Sequence, residues 1–154
     1  YIQGGYQEDE EQQIRESDNL EGVRILVADD NELNLEIMFE IFNSSGAAVD
    51  CAHNGKEALE AYLKSSQGYY QIILMDVHMP EMNGLEATKE IRNSGRPDAC
   101  TVPIIAMTAD VFKEDIRRCQ DAGMNAHMGK PVELDKLYST VRKLLNKEAL
   151  GEKQ

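Results

Sequence analysis

Five short apolar segments alternate with five longer amphipathic segments along the chain, and this alternation limits the possible folds more than any other feature. The apolar segments are predicted strands, and the amphipathic segments are predicted helices. In strand–helix order they span residues 23–28 and 33–44, 47–52 and 55–64, 71–75 and 84–93, 103–107 and 111–121, and 126–128 and 132–146. The pattern predicts an α/β fold with a doubly wound, five-stranded parallel sheet, because right-handed crossovers put helices on both faces.

Length and charge exclude several classes of protein. A chain of 154 residues provides one ordinary domain and no second enzymatic domain. The formal charge of −12 has the wrong sign for binding nucleic acid. No apolar segment approaches the ~18 residues that cross a bilayer, so we expect no membrane contact by this chain. Three widely spaced cysteines favour a reducing, cytoplasmic location.

Charge also divides the chain into segments. Residues 1–22 carry seven acidic side chains and one basic side chain with little apolar periodicity, which predicts an acidic linker or disordered tail. The folded domain is predicted over residues 23–147, and residues 148–154 form a C-terminal tail. Because the chain begins at Tyr1 without a methionine, we interpret it as a piece of a longer protein.

Polar side chains follow the predicted strands at their carboxyl ends. They are Asp29 and Asp30, Asp76, Thr108, and Lys130. In open α/β sheets these ends meet at one edge, where ligands bind. Gathered carboxylates repel one another and favour a cation, and hard oxygen ligands favour Mg²⁺. An aspartate beside such an ion can attack phosphorus while a lysine and a hydroxyl hold the phosphoryl oxygens, so the group predicts phosphoryl transfer.

Four stretches together resemble the receiver domains of response regulators in two-component signalling. They are VADDN at 27–31, LMDVHMPEMNG at 74–84, IAMTA at 105–109 and GKP at 129–131. The resemblance covers residues 23–146 and implies a flavodoxin-like (βα)5 fold with strand order 2-1-3-4-5. Residues 29–34 and 79–84 are most similar to receivers attached to hybrid sensor histidine kinases.

The resemblance implies a role for each acidic residue of the group. Asp76 would accept a phosphoryl group from a phosphohistidine. Asp29, Asp30, Asp76 and the backbone carbonyl of His78 would hold Mg²⁺. The side chain of His78 would influence the lifetime of the aspartyl phosphate. An isolated domain of this kind is a phosphoacceptor rather than an enzyme, although a hybrid parent chain would be a histidine protein kinase.

Residues on the last two strands would detect the phosphate. The resemblance implies that Thr108 is the switch hydroxyl, that Lys130 pairs with the phosphate, and that a cis bond precedes Pro131. His127 occupies the switch position where the family usually carries tyrosine or phenylalanine. This substitution puts the aromatic switch in question, and an imidazole there could add sensitivity to pH.

The first predicted helix indicates a partner. Its apolar residues spread over ~240° of the helix, whereas a core stripe needs ~100°. They are Leu33, Leu35, Ile37, Met38, Phe39, Ile41 and Phe42. A helix wedged between sheet and neighbour is one explanation, and an exposed docking patch is the other. In receivers this helix meets a histidine kinase or histidine phosphotransfer domain, so we expect docking there, with the chain a monomer or weak dimer.

Two other functions remain as alternatives. An aspartyl-phosphate hydrolase resembling haloacid dehalogenases would need a second acid two residues after the nucleophile, where His78 stands, and a substrate cap. A receiver-like interaction module that acts without phosphorylation would normally lack one of Asp76, Thr108 or Lys130, and all three are present.

Overall fold

The protein is described by a computed structural model that covers residues 20–108, 113–130 and 132–150. Five strands and five α-helices alternate along it. The strands are β1 (Arg24–Ala28), β2 (Ala48–Ala52), β3 (Ile72–Asp76), β4 (Ile104–Thr108) and β5 (Ala126–Gly129). The helices are α1 (Glu32–Ser44), α2 (Gly55–Lys64), α3 (Gly84–Arg92), α4 (Lys113–Ala122) and α5 (Leu134–Leu150), with a short 3-10 helix at Pro97–Cys100.

The strands form one parallel sheet in the order β2-β1-β3-β4-β5. This confirms the predicted fold class and strand order. Most element boundaries lie close to the predicted ones, and α2 has the predicted bounds. The predicted start of the fourth helix at residue 111 lies outside the described residues, as does the position of Pro131.

The sheet has an apolar core on each face because neighbouring residues of a strand point to opposite sides. Strands β3 and β4 are buried along their whole length, as expected for central strands covered on both faces. Helices α2, α3 and α4 cover one face with Ala58, Tyr62, Ala87, Ile91 and Cys119. Helices α1 and α5 cover the other with Leu35, Met38, Phe42, Leu137, Tyr138 and Val141.

The packed unit extends beyond the predicted domain limit at its amino-terminal end. Leu20, inside the predicted acidic tail, is 1% exposed and packs in the core beneath α1 and α5. Its backbone N–H donates to the carbonyl of Ser45. The packed unit therefore begins no later than Leu20, because a buried apolar side chain and a backbone hydrogen bond hold it there. At the other end, α5 continues to Leu150. Within the described ranges, no helix combines the length and the apolar character needed to cross a membrane.

His53 connects the first turns of α1 and α2. Its Nε2 lies 3.2 Å from Oε1 of Glu32, and its Nδ1 lies 3.0 Å from Oε1 of Glu57. The hydrogen bond to Glu57 is the main cause that raises the pKa of His53. The backbone hydrogen bond from His53 is the main favourable contact that lowers the pKa of Glu57. When it is protonated, the imidazole pairs with both carboxylates and holds the loop after β2 against the start of α1.

We predict that His53→Gln lowers the free energy of unfolding near pH 5.5 by roughly 0.5 kcal/mol and has little effect at pH 8.5, because exposed ion pairs contribute little. The folded-state pKa of His53 is raised, so its contribution is complete below the unfolded pKa and is lost as pH rises through the folded pKa. Glu57 has a lowered pKa, so its contribution is lost only at lower pH. Urea unfolding at both pH values would test this, with exposed His78→Gln as control. An effect of equal size at both pH values would contradict the role of protonation.

Candidate functional site

The sheet topology brings the predicted polar residues together at one edge. Asp29 follows β1, Asp76 and Thr108 end β3 and β4, and Lys130 follows β5. These four strands are neighbours in the sheet, and their parallel direction puts all four carboxyl ends on the same side. The site therefore follows from strand order, although its members are far apart in the sequence.

Three carboxylates form the acidic part of this site. Asp29, Asp30 and Asp76 each offer an oxygen, and these oxygens all lie within 4.8 Å of one another. Asp29 and Asp76 are buried, whereas Asp30 is exposed. Hard oxygen donors on a rim that opens to solvent suit Mg²⁺, which keeps several of its waters. These residues fit the predicted metal ion.

Lys130 provides the positive charge of the site. Its Nζ lies 3.1 Å from Oδ2 of Asp29 and 2.9 Å from Oδ2 of Asp76. One ammonium group therefore bridges two carboxylates that come from different strand ends. Three acids and one lysine leave a surplus of negative charge at the site, which favours a further cation.

Hydrogen bonds from α1 and from the loop after β3 orient the carboxylates. Oδ1 of Asp29 accepts from the backbone N–H of Asn31 at 2.9 Å, and Oδ2 accepts from Nδ2 of Asn34 at 3.3 Å. Oδ1 of Asp76 accepts from the backbone N–H of His78 at 3.2 Å. The Asn31 side chain caps α1 by accepting from the N–H groups of Leu33 and Asn34. Sequence reasoning assigned no site role to Asn34, although this residue ends the 29–34 stretch that resembles the receivers of hybrid kinases.

Burial and charge act in opposite directions on the ionisable groups. Burial raises the pKa of Asp76 above its ordinary value, and the nearby Lys130 lowers it only in part. Burial alone would lower the pKa of Lys130, but its hydrogen bonds to Asp76 and Asp29 and their charges outweigh that effect, so this pKa is raised. The ammonium group of Lys130 thus favours the ionised form of the buried Asp76 carboxylate.

Close packing fixes the loop after Asp76. Gly84 has no space for a side chain, since a Cβ there would clash with the backbone carbonyl oxygen of Asp76. Its backbone N–H donates to the carbonyl of Val77 at 3.0 Å. Asn83 and Glu86 form a reciprocal capping box at the start of α3. The loop therefore has little freedom to move away from the end of β3.

The remaining predicted residues differ in their placement. Thr108 is buried at the end of β4, and its backbone carbonyl accepts from the N–H of Lys130 at 3.0 Å. His127 is exposed on β5 and lines a groove between α4 and α5. His78 has an exposed side chain. The switch role of His127 and the role of the His78 carbonyl as a metal ligand stay predictions.

We predict that Lys130→Met lowers the free energy of unfolding by about 3 kcal/mol at pH 7.5, because it leaves two buried carboxylates without their cation. The pKa of Asp76 is already raised, and removal of the ammonium group raises it further. A raised carboxyl pKa destabilises the fold above the unfolded value, so the loss shrinks as pH falls towards 5. Urea unfolding at both pH values would measure it.

A double variant and a surface lysine provide the controls. Lys130→Met with Asp76→Asn should recover much of the loss, because the uncompensated charge at Asp76 is gone. Lys89→Met changes an exposed lysine of α3 and should have little effect. If Lys130→Met cost no more than Lys89→Met, the bridging ion pair would have no role in stability.

Comparison with known proteins identifies relatives of the chain. Residues 25–142 match the model of the response regulator receiver domain family. Hybrid signal transduction histidine kinase L of Dictyostelium discoideum is 35% identical over 134 residues, which cover 86% of this chain and 8% of that protein. The chain spans less than a fifth of the length of such curated relatives.

Solved structures share the fold. The receiver domain of sensor histidine kinase PA1611 from Pseudomonas aeruginosa, with a magnesium ion coordinated in its active site cleft, matches at a TM-score of 0.72 and 31% identity, over 81% of this chain and 98% of that chain. A second match is a co-crystal structure from Saccharomyces cerevisiae. It contains the histidine phosphotransfer signalling protein Ypd1 and the receiver domain of its downstream response regulator Ssk1. The TM-score is 0.76 and the sequence identity 27%, over 83% of this chain and 92% of that chain.

Proposed function

Because the chain belongs to the response regulator receiver domain family, we propose that it accepts a phosphoryl group from a phosphohistidine onto Asp76. It is a phosphoacceptor receiver domain of the kind found in phosphorelay proteins. The observation that carries the assignment to Asp76 is the place of this buried carboxylate at the end of the central strand β3, within 2.9 Å of Nζ of Lys130. Kinase activity would belong to another domain of a longer parent, and the relatives favour a hybrid histidine kinase as that parent.

The acidic residues would hold one Mg²⁺ ion. Asp29, Asp30 and Asp76 supply three carboxylate oxygens, and the backbone carbonyl of His78 would add a fourth ligand. When bound, the ion neutralises charge on the phosphoryl oxygens during transfer. The magnesium in the related PA1611 receiver supports this assignment.

The transfer itself is a displacement at phosphorus. An oxygen of Asp76 forms a bond to phosphorus while the bond between phosphorus and the imidazole nitrogen breaks. The electron pair of that bond stays on the imidazole, which takes a proton from solvent. Lys130 then moves from the carboxylates to a phosphoryl oxygen, and the Thr108 hydroxyl donates to another. These contacts exist only with the phosphate, so they favour a second arrangement of the site at the carboxyl ends of β4 and β5.

We predict that acetyl phosphate with Mg²⁺ adds one phosphoryl group to the protein, measured by intact mass. Asp76→Asn and chelation of the metal should each abolish the addition. Asp121→Asn, which changes an exposed aspartate of α4, should leave it unchanged. If the aspartyl phosphate hydrolyses too rapidly to be detected, binding of beryllofluoride, a stable mimic of the phosphoryl group, would still show a functional site. A folded parent that neither gains mass nor binds beryllofluoride would contradict the proposal.

We predict that Thr108→Ala keeps phosphorylation at Asp76 but weakens the conformational response. Loss of the hydroxyl removes a contact that exists only with the phosphate, so the population shift has less driving energy. NMR spectra of β4 and β5 with and without beryllofluoride would measure the shift. Thr88→Ala removes another buried hydroxyl, on α3, and is the matched control. A shift as large in Thr108→Ala as in the parent would contradict the switch role.

The exposed face of α1 provides the docking surface in this proposal. Leu33, Ile37 and Phe39 are 62%, 47% and 41% exposed, which confirms that part of the apolar face is free of the core. Glu36 and Glu40 are exposed between them, and the sequence of α1 contains no lysine or arginine. A histidine-bearing helical domain with apolar residues flanked by basic ones would complement this surface.

A cavity joins this surface to the site. It has a volume of about 440 Å³ and lies between α1, Met107 of β4, and Val132, which precedes α5. Asp29 and Lys130 form its polar end, and Ile37, Ile41 and Met107 form part of its apolar end. A partner seated on α1 would thus lie next to the end of the cavity that Asp29 and Lys130 form. The co-crystal of a receiver with a histidine phosphotransfer protein supports a partner of this class.

We predict that Ile37→Ser slows phosphoryl transfer from a phosphorylated histidine phosphotransfer domain but leaves the reaction with acetyl phosphate unchanged. The variant removes apolar contact area from α1 without touching the carboxylates. Leu63→Ser on α2 is the matched control, since Leu63 is 44% exposed and lies on another helix. Rapid-quench transfer assays would measure both rates. Equal slowing by the two variants would contradict docking on α1.

We also propose a cytoplasmic location, because free thiols are usual in reducing compartments. The three cysteines are unpaired in the structure, and Cys51 and Cys100 are exposed.

A further inference from the structure

Asp29 is a buried carboxylate with a specific set of hydrogen-bond donors. It is 1% exposed, so its two oxygens depend on protein groups rather than on bulk water. Oδ1 accepts from the backbone of Asn31 at 2.9 Å. Oδ2 is shared by Nζ of Lys130 at 3.1 Å and Nδ2 of Asn34 at 3.3 Å. Two side chains therefore hold the same oxygen.

The two donors to Oδ2 of Asp29 differ in whether they keep this contact during the proposed reaction. Lys130 also contacts Oδ2 of Asp76 at 2.9 Å, and in the proposed reaction it leaves both carboxylates for the phosphoryl group. Asn34 has no such second partner among the hydrogen bonds of the site. Of the side-chain donors to Asp29 in the described part of the chain, Asn34 is the one that remains once Lys130 has moved.

The surroundings of Asn34 fix its amide. Its backbone N–H donates to the capping oxygen of Asn31 at 3.2 Å, so the residue belongs to the rigid first turn of α1. Its half-buried side chain lines the cavity with apolar Ile37, Met38 and Ile41, which offer no side-chain hydrogen-bond partner. Nδ2 must face Asp29, because the opposite amide orientation would set its oxygen against a carboxylate oxygen.

We propose that Asn34 is a positioning residue that holds Asp29 in the orientation required for Mg²⁺, both before and after phosphorylation. The inference rests on the proposed function, in which Asp29 is a metal ligand. An amide suits the task because it donates a hydrogen bond without adding charge. A lysine or arginine would repel the cation, and an aspartate would repel the buried carboxylate of Asp29.

The test measures Mg²⁺ affinity in the absence of any phosphodonor. Asn34→Leu keeps a side chain of similar size in an apolar surrounding but removes the donor. Isothermal titration of the folded protein should show a dissociation constant for Mg²⁺ that is roughly tenfold higher, as is usual when a group that orients a metal ligand is lost. Asn34→Gln keeps the amide and should recover part of the affinity.

The matched control is Asn43→Leu, the same change at an exposed position of the same helix. It should leave the affinity for Mg²⁺ unchanged. Thermal unfolding of both variants without metal would separate a loss of stability from a loss of affinity. In acetyl phosphate assays, Asn34→Leu should raise the Mg²⁺ concentration at half-maximal rate and largely preserve the maximal rate.

The outcomes separate the two proposals. If Asn34→Leu binds Mg²⁺ as tightly as the parent, Asn34 does not position Asp29 and the inference is overturned. If Asn43→Leu weakens binding equally, the effect is a general property of α1 and the inference is also overturned. If the parent itself binds no Mg²⁺, the metal site of the proposed function fails and the inference fails with it. If Asn34→Leu does not fold, Asn34→Ala provides the same test with a smaller side chain.

Discussion

The ammonium group of Lys130 is the interaction on which the site depends. It lies about 3 Å from an oxygen of both Asp29 and Asp76, which are buried at the ends of separate strands. Burial raises the pKa of Asp76, and without a neighbouring cation the two carboxylates would repel each other in a region of low dielectric. In the proposed function, the same group exchanges its carboxylate partners for a phosphoryl oxygen. One lysine would then stabilise the resting site and respond to its phosphorylation.

Strand topology explains why so much of this site could be predicted from sequence. A parallel sheet brings the carboxyl ends of its strands to one edge, so the residue after each apolar segment is a candidate without any knowledge of side-chain contacts. Asp76 and Thr108 were predicted in this way. Asn34 was not, because it lies on a helix and its contact with Asp29 depends on how α1 is oriented after the turn. Hydrophobic periodicity carries no information on such a contact.

The domain limits and the exposed surfaces show a second limit of sequence reasoning. Leu20 lies in an acidic segment with weak periodicity, and only its contact with the distant end of α1 shows that it belongs to the core. Part of α1 was predicted to be exposed because its apolar residues cover too wide an arc, and Leu33, Ile37 and Phe39 are exposed. The angular spread of apolar residues around α1 does not by itself identify the partner that binds them. His127, by contrast, is exposed, and its predicted role at the switch position involves a change between two arrangements of the site.

The identity of the phosphorylated residue tests the central claim most directly, because three aspartates share the site. Borohydride reduction of the protein after reaction with acetyl phosphate and Mg²⁺ converts an aspartyl phosphate to homoserine, and peptide sequencing by mass spectrometry locates it. The account predicts homoserine at position 76 and unmodified aspartate at positions 29 and 30. Homoserine at Asp29 or Asp30, with Asp76 unchanged, would contradict the assignment of acceptor and metal ligands.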